Sequence, residues 1–487
     1  MSATYYLAVD LGAESGRVML GRLEGGRLNL EEVHRFLNRV LTIKDHLHWD
    51  LDHLEKEIFT GLEKAAKRDV PISGISADSW GVDYLLLDAG GKVLGNPFCY
   101  RDARTHESPA RLFKKLPFAE IYAETGIQFM VINTLYHFEA QQQDDPSVFS
   151  GADHFLNTAD YFNARFSGME VAEESLASTT QLYNPQTRLW SSKLISTLGL
   201  KASLFPRIVP SGTVLGPVVG KLKEYPALAA AQVIATCSHD TGAAVASVPA
   251  GKGNWAYLSS GTWSLLGAEL TSPVLTDAAR EAGFTNEAGL GGTIRFLKNI
   301  AGLWVLQECR RAWEAEGESF TYDELTQLGA ASKPAQAHIS LQDSRFLLPG
   351  DMPQKIAAFC RETGQPVPSS PGQYVRTILE SLALTYAQTL HQLEELIGHK
   401  IDKLHIVGGG SRSELLNQLT ADATGVPVIT GPVEATAIGN ILIQALTLGH
   451  LPSSAQLRST VEASFPAKTF SPGSGITAET HDRFQKL

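Results

Sequence analysis

The chain has 487 residues, a formal net charge of −11 and 43% hydrophobic residues, which is typical of a globular protein large enough for two hydrophobic cores. The acidic excess argues against nucleic acid or an acidic membrane surface as a partner. No apolar run reaches the roughly 20 residues of a membrane-spanning helix, and Asp10 interrupts the first apolar stretch, so we expect no signal peptide. Four cysteines without a C-x-x-C pair favour a reducing, cytoplasmic location and no disulfide framework.

The segment Tyr5–Leu23 predicts two strands joined by a tight turn, because apolar residues alternate with others on both sides of it. Asp10 ends the first strand, where a carboxylate suits a hydrated Mg²⁺. Small residues in the turn allow backbone N–H groups to approach a phosphate. An ordinary hairpin with a polar turn is the alternative. The turn consists of Ala13, Glu14, Ser15, Gly16 and Arg17.

The segment Trp255–Leu270 repeats this pattern of strand, Ser-Gly turn and strand about half a chain later. Thr262 in the second turn can donate its hydroxyl to a phosphate. We therefore expect two similar lobes, residues 1–248 and residues 249–487, each of which offers one hairpin to a shared phosphate chain in the cleft between them.

The segment Ile72–Asp88 predicts two strands around a polar turn that carries Trp80, Gly81 and Asp83. An aromatic ring packs on the C–H faces of a sugar and a carboxylate accepts from its hydroxyls, although a capped β-turn explains the same residues. Arg101, in the motif YRDAR, is either a hydroxyl-binding group or part of a surface ion-pair cluster.

A short strand at Val233–Thr236 leads into Ser-His-Asp-Thr and then a helix of small residues. Asp240 lies at or near the N-terminus of that helix, whose dipole favours the ionised carboxylate. It is interpreted either as a general base that takes a proton from a substrate hydroxyl or as a helix N-cap.

In the second half, Phe296–Arg311 predicts a helix from about Ile300. Asn299 and Gln307 are amides that can read a nucleotide or simply cap and solvate this helix. A strand then leads into Gly408, Gly409 and Gly410, which allow the backbone to lie against a flat ligand such as adenine. Ser411 and Glu414 predict a capping box. Small residues in Glu434–Leu448 predict a close helix crossing, suited to a pivot for closure.

Taken together, these motifs resemble the FGGY carbohydrate kinases over nearly the full chain, and within that family they are most like its deoxyketose kinases. The resemblance implies an α/β fold of two ribonuclease H-like lobes, as in actin, hexokinase and the heat-shock ATPases, with an interdomain catalytic cleft. The motifs are VDLGAESGR, DSWGVDYLLLD, YRDAR, SHDTGAAVAS, SSGTWSLLG, KNIAGLW and VGGGSRSELLNQL.

By this resemblance Asp240 is the catalytic base, while His239, Thr241 and Gly81 lie beside the sugar. The two hairpin turns match the phosphate loops, and Asn299, Gln307 and Gly409 match nucleotide contacts. The implied reaction is Mg²⁺-dependent transfer of phosphate from ATP to the 1-hydroxyl of a deoxyketose. Partners are then a sugar and ATP, with the oligomeric state open. The alternatives are a kinase for fuculose, xylulose or glycerol and, from other classes, a non-catalytic actin-like ATPase or a sugar sensor.

Overall fold

A computed structural model describes residues 3–487, which divide into two compact units. The first unit contains the described residues up to Pro249 together with Glu269–Phe296 and Ala435–Ser464. The second contains Ala250–Ala268, Leu297–Glu434 and Phe465–Leu487. The first unit thus includes two segments from the part of the chain that the sequence analysis assigned to the C-terminal lobe.

Strands and helices are interspersed along the described chain, as expected for an α/β protein. The strands are β1 (Thr4–Leu11), β2 (Ser15–Glu24), β3 (Arg27–Leu37), β4 (Val40–Ile43), β5 (His46–Trp49), β6 (Ile72–Ser79), β7 (Tyr84–Leu87), β8 (His154–Asn157), β9 (Ala172–Glu173), β10 (Tyr183–Asn184), β11 (Leu189–Trp190), β12 (Ile208–Val209), β13 (Thr213–Pro217), β14 (Gln232–Ala235), β15 (Trp255–Ser260), β16 (Trp263–Leu270), β17 (Thr285–Ala288), β18 (Ile294–Ala301), β19 (Lys403–Val407), β20 (Val428–Thr430) and β21 (Lys468–Phe470).

The helices are amphipathic or buried elements placed between these strands. They are α1 (Leu51–Ala66), α2 (Ser108–Leu112), α3 (Phe118–Thr125), α4 (Thr134–Asp144), α5 (Ser147–Gly151), α6 (Thr158–Ser167), α7 (Glu174–Thr179), α8 (Ser192–Leu198), α9 (Asp240–Ala246), α10 (Asp277–Glu281), α11 (Trp304–Ala315), α12 (Tyr322–Ala331), α13 (Met352–Glu362), α14 (Pro371–Ile397), α15 (Glu414–Thr424), α16 (Ala435–Thr447), α17 (Ser454–Ser464) and α18 (Ala478–Phe484). Among residues 3–487, none of these helices is both long and apolar enough to cross a bilayer.

The main sheet of the first unit has the strand order β13-β14-β6-β1-β2-β3. β1 and β2 form the predicted hairpin, in which Asp10 pairs with Arg17. β6 runs parallel to β1 and places Asp78 directly beside Asp10. The carboxyl ends of β1 and β6 therefore bring two acidic residues to one edge of the sheet.

The strands of the second unit follow the order β18-β16-β15-β19-β20-β21. β15 and β16 again form an antiparallel hairpin, and β19 and then β20 run parallel to β15. The two units thus repeat one topology, in which a hairpin is extended by parallel strands. This confirms the repeat predicted from the two Ser-Gly turns.

The core of the first unit lies between its sheet and helices α1 and α6. Leu54, Ile58 and Leu62 recur at helical spacing on α1 and are buried against it. β1 is buried on both faces, since the successive residues Leu7 and Ala8, which point to opposite faces, are fully inaccessible to solvent. Such burial stabilises by about 25 cal/mol for each Å² of apolar surface removed from water, so the strand that carries Asp10 is held firmly in place.

Two local predictions in the second unit are wrong. The helix predicted from Ile300 begins at Trp304, because Ile300 still belongs to β18 and Gly302 follows it. A Cβ on Gly302 would lie 2.7 Å from the carbonyl carbon of Trp263, so the chain turns there against the hairpin. The predicted capping box at Ser411 is also replaced: Ser413 caps α15 by accepting from the N–H of Leu416.

Candidate active site

The turn after β1 is held by its own backbone and by one distant side chain. The N–H of Gly12 donates to the carbonyl of Ser15 over 3.0 Å. Asn38 donates from its side chain to the carbonyl of Gly12 over 2.6 Å and from its backbone to that of Glu14 over 3.0 Å. The loop therefore has a fixed shape with its carbonyls turned toward protein donors. Asn38 was not predicted from the sequence, since it follows a different strand, β3.

Within this turn, Gly16 and Arg17 have different structural roles. A Cβ on Gly16 would lie 2.2 Å from the ring of Phe36, so glycine is needed for packing. The guanidinium of Arg17 forms an ion pair with Asp10 across the hairpin. Ala13 and Ser15 are half-buried and Glu14 is exposed. Arg17 thus acts on the carboxylate at the end of β1.

Three carboxylates of the first unit influence one another at the ends of β1, β6 and β14. Asp78 is fully buried, and burial, reinforced by Asp10 and Asp240, raises its pKa well above the usual range. Asn440 on α16 donates to its Oδ2 over 2.5 Å, while its Oδ1 has no hydrogen-bond partner. No role for Asp78 was predicted from the sequence, and its partner Asn440 lies 362 positions away along the chain.

This acidic cluster fits a hydrated divalent cation. No group of three or more His, Cys, Asp or Glu side chains within residues 3–487 is arranged to hold a metal ion directly. Mg²⁺ however keeps several waters and uses only one or two carboxylates with substrate phosphates. Asp10 offers a carboxylate for such an ion, and the buried Oδ1 of Asp78, which has no hydrogen-bond partner, lies on the neighbouring strand as an acceptor for one of its waters.

Asp240 is the first residue of α9, as the sequence predicted, and the N-cap is His239. Its Oδ1 accepts from the backbone and the hydroxyl of Thr241, at 2.5 and 3.1 Å. Its side chain keeps 28% of its surface exposed, whereas Asp10 and Asp78 are buried. Burial within the site, with a contribution from Asp10, raises the pKa of Asp240 against the opposing effect of His239. A reachable carboxylate with a raised pKa is suited to accept a proton.

The helix that carries Asp240 packs directly on α16. A Cβ on Gly439 would lie 1.8 Å from the carbonyl oxygen of Ala243, which leaves no space for any side chain there. The close crossing predicted from the small residues of α16 is thus confirmed, and its partner is α9. The same helix delivers Asn440 to Asp78, so α16 supports two of the three carboxylates.

His239 is held by a buried ion pair from the segment Glu269–Phe296 of the first unit. Its Nδ1 lies 3.1 Å from Nη2 of Arg295 and 3.3 Å from Oε2 of Glu287. Its Nε2 lies 3.5 Å from Oδ1 of Asp240. Although burial alone would raise it, the charge of the adjacent Arg295 guanidinium lowers the pKa of Glu287. Sequence reasoning missed Glu287 and Arg295, since no local motif contains them.

Gly81 lies in a strained turn beside Thr179. A Cβ on Gly81 would lie 2.8 Å from Oγ1 of Thr179, and the next residue, Val82, has a φ of 69°. Such a φ is rare for a β-branched residue and is stabilised here by Thr179, which accepts from the N–H of Val82 over 3.2 Å. Strained backbone of this kind clusters at ligand sites, and Gly81 remains half-buried.

Trp80 and Asp83, predicted to contact a sugar, belong to the core of the first unit. The indole N–H groups of Trp49 and Trp80 donate to Oδ2 of Asp83 over 2.6 and 2.8 Å. The two indole rings pack with centroids 4.6 Å apart. Both predicted residues are buried, so their surroundings explain them as a structural cluster, and we do not include them in the proposed sugar site. Arg101 is exposed and lies over the ring of Tyr100.

Asp83 makes a testable contribution to stability. Burial raises its pKa from 3.8 to about 7, so the folded protein retains a proton that the unfolded chain releases near its ordinary pKa. Stability from this group is therefore lost as pH rises from about 4 to about 7. We expect the melting temperature of Asp83→Asn, relative to wild type, to increase between about pH 5 and about pH 8. An equal difference at both pH values would contradict this, and Asp88→Asn in an exposed turn is the control.

In the second unit, the Ser-Gly-Thr turn is tied to the start of α11. The N–H of Leu303 donates to the carbonyl of Gly261 over 3.0 Å, and that of Trp304 to the carbonyl of Thr262 over 3.2 Å. Gln307 follows one turn later, and its Oε1 is buried without a hydrogen-bond partner. Asn299 lies on β18 rather than at a helix end.

The three glycines after β19 divide into two kinds. A Cβ on Gly410 would lie 2.0 Å from Oγ of Ser260. A Cβ on Gly408, whose φ is 82°, would lie 2.9 Å from the carbonyl oxygen of Ser260. These two are needed to pack β19 on the hairpin. Gly409 differs, because a Cβ there would meet no described atom within 4 Å. Its backbone is the open surface that a flat ligand requires.

Comparison with known proteins supports the same interpretation. The N-terminal domain of the FGGY family of carbohydrate kinases matches residues 5–247, and the C-terminal domain of that family matches residues 256–448. The rhamnulokinase of Bacteroides thetaiotaomicron is 44% identical over 467 residues, which is 96% of this chain and 96% of that protein. The rhamnulokinase of Bacillus subtilis is 38% identical over 467 residues, which is 96% of this chain and 95% of that protein.

Solved structures show the fold. A ligand-bound xylulose kinase from Lactobacillus acidophilus superposes with a TM-score of 0.79 at 16% identity, over 99% of this chain and 96% of that chain. A glycerol kinase from Plasmodium falciparum with ADP gives 0.79 at 14% identity, over the same shares. These matches confirm the predicted mixed α/β, actin- and hexokinase-like fold. With both domain models matched and relatives aligned over nearly their full length, the chain belongs to the FGGY family of carbohydrate kinases.

Proposed function

We propose that this protein is a rhamnulokinase that transfers the γ-phosphoryl group of ATP to the 1-hydroxyl of L-rhamnulose in L-rhamnose catabolism. Support comes from the full-length similarity to rhamnulokinases. The observation that carries the chemistry is the partly exposed carboxylate of Asp240, with its raised pKa, beside the acidic ends of β1 and β6. We further propose a cytoplasmic location, where the four buried, free cysteines stay reduced.

In this proposal Asp240 accepts the proton of the sugar hydroxyl as that oxygen attacks the γ-phosphorus. A positioned general base typically contributes about 10²–10⁴-fold to the rate. Its raised pKa increases its basicity, and its place at the start of α9 keeps it fixed by Thr241. His239 and Thr241 flank Asp240 along the chain, and we propose that they contact the sugar together with Gly81.

A bound Mg²⁺ would neutralise charge on the phosphates of ATP. Asp10 is the proposed ligand, and the unpartnered Oδ1 of Asp78 is proposed to accept from a water of the ion. Arg17 holds the carboxylate of Asp10 in place. The fixed turn that contains Ala13, Glu14, Ser15 and Gly16 is proposed to bind phosphate oxygens through its backbone.

The second unit supplies the proposed nucleotide site. Thr262 offers a hydroxyl to the phosphates, Asn299 and Gln307 offer amides, and the turn Gly408–Gly410 offers open backbone. Exclusion of water from the reacting groups would prevent it from competing with the sugar as acceptor.

The glycines after β19 give a direct test of the nucleotide site. Gly409→Ala should leave the melting temperature unchanged, since a Cβ meets no described atom there, but should raise KM for ATP about 10-fold. Gly410→Ala should instead destabilise the fold by contact with Ser260. An unchanged KM for ATP in Gly409→Ala would contradict the assignment of this turn to the nucleotide.

The position of phosphorylation can be tested on the product. Incubation with Mg-ATP and L-rhamnulose should yield a phosphate ester whose ³¹P nucleus couples to the two protons of C1. Coupling to a different sugar carbon would contradict transfer to the 1-hydroxyl while leaving the carbohydrate kinase assignment intact.

A further inference from the structure

The buried ion pair beside His239 has no part in the proposed phosphoryl transfer itself. The side chain of Arg295 is completely inaccessible to solvent, and its Nη2 lies 3.0 Å from Oε2 of Glu287. Its Nε donates to the carbonyl of Ala288 over 3.1 Å. An ion pair buried to this degree carries a large desolvation penalty, so its contact with His239 suggests a specific role.

The chemistry of the pair determines the protonation of the imidazole ring. A guanidinium has donors only and stays protonated. Nη2 of Arg295 lies 3.1 Å from Nδ1 of His239 in hydrogen-bond geometry. Oε2 of Glu287 lies 3.3 Å from the same nitrogen but has no hydrogen-bond partner, so we assign Nδ1 as the acceptor of the guanidinium N–H. A neutral imidazole that accepts at Nδ1 carries its proton on Nε2, and Nε2 lies 3.5 Å from Oδ1 of Asp240. Glu287 keeps the guanidinium in place.

We propose that Arg295 and Glu287 are positioning residues that hold His239 as the Nε2-protonated tautomer, with this N–H directed at the Asp240 carboxylate. The backbone of His239 is fixed as well, because its N–H donates to Oγ of Ser175 over 3.0 Å. The imidazole then serves as a donor that orients Asp240 and the oxygen it deprotonates. The effect of this imidazole on catalysis rests on the proposed role of Asp240 as the base. The assignment of the tautomer does not depend on that role.

The second unit contains a matched control. Glu380 forms an ion pair with Arg376 at 2.6 Å and lies 3.4 Å from Nε2 of His338. Arg, Glu and His thus form a similar buried trio with no part in the proposed site. Loss of this trio should affect stability alone.

The test uses the full-length protein with ¹⁵N-labelled histidine, and His239→Gln assigns the signals. In wild type, Nδ1 of His239 should show the shift of an unprotonated nitrogen and Nε2 that of a protonated one. In Arg295→Met the remaining partner of Nδ1 is Glu287, so the proton should move to Nδ1. The kcat should fall by about 10- to 100-fold with KM for ATP unchanged. Arg295→Lys keeps a donor and should restore the tautomer and much of kcat.

If Arg295→Met fails to fold, Glu287→Leu/Arg295→Met removes both buried charges together and should give mixed tautomers with the same loss of kcat. Arg376→Met/Glu380→Leu should keep kcat. A wild-type His239 protonated at Nδ1, or a double variant with unchanged tautomer and kcat, would overturn the proposal. If Asp240 were not the base, the wild-type tautomer would still be observed, so failure of the proposed mechanism is distinguishable from failure of this inference.

Discussion

Asp240→Asn is expected to lower kcat by about 10²–10⁴-fold with little change in KM for either substrate. Asparagine has nearly the same shape and can still accept from Thr241, so the start of α9 should be preserved. It cannot take the proton from the sugar hydroxyl. In wild type the raised pKa of Asp240 predicts that kcat/KM increases with pH above about 4, until the carboxylate is fully ionised. Steady-state kinetics across pH measure both effects.

Asp52→Asn is the control for this variant, because Asp52 also lies in the first turn of a helix but on α1. It should keep the wild-type kcat. If Asp240→Asn retained more than about a tenth of the wild-type kcat, proton acceptance by Asp240 would contribute less than about 1.4 kcal/mol. The carboxylate would then be better explained as a cap on α9.

Gly439→Ala is expected to cause the largest loss of stability. The new methyl group would lie 1.8 Å from the carbonyl oxygen of Ala243, so α9 and α16 must move apart. Overpacking of this kind typically costs about 1–3 kcal/mol. Because α9 begins with Asp240 and α16 carries Asn440, the separation should also displace the acidic cluster and lower kcat.

The control is Gly151→Ala, at the end of α5, where the nearest atom to a Cβ is 3.9 Å away. Chemical denaturation of both variants measures the free energy of unfolding, and kinetics at a temperature where both remain folded measure kcat. Equal stability of Gly439→Ala and wild type would show that the crossing adapts without cost. The support of Asp240 by α16 would then need another explanation.

The elements predicted correctly are those determined by neighbours in sequence. The β1–β2 hairpin, the strand before Asp240 and the small residues of α16 are local patterns, since strand alternation and helical spacing repeat within a few residues. The second hairpin, β15–β16, was predicted from the same kind of local pattern. A family resemblance then connected these motifs to one site.

The parts that sequence reasoning missed depend on contacts between distant segments. Asn440 reaches Asp78 across 362 positions, and Arg295 reaches His239 across 56. A single sequence gives no signal for such pairs. Asp83 shows the converse case, in which a polar turn residue was interpreted as a ligand contact although two indole groups bury it.

The most direct test of the proposed function is coupled ADP release by the purified protein with Mg-ATP and a panel of L-rhamnulose, L-fuculose, D-xylulose and glycerol. We predict a kcat/KM for L-rhamnulose at least about 10-fold above that of every other acceptor, a difference of about 1.4 kcal/mol in transition-state binding. A preference for another acceptor would contradict the substrate while retaining the family. The absence of any sugar-stimulated ADP release would contradict the account of Asp240 and the acidic cluster as a phosphoryl-transfer site.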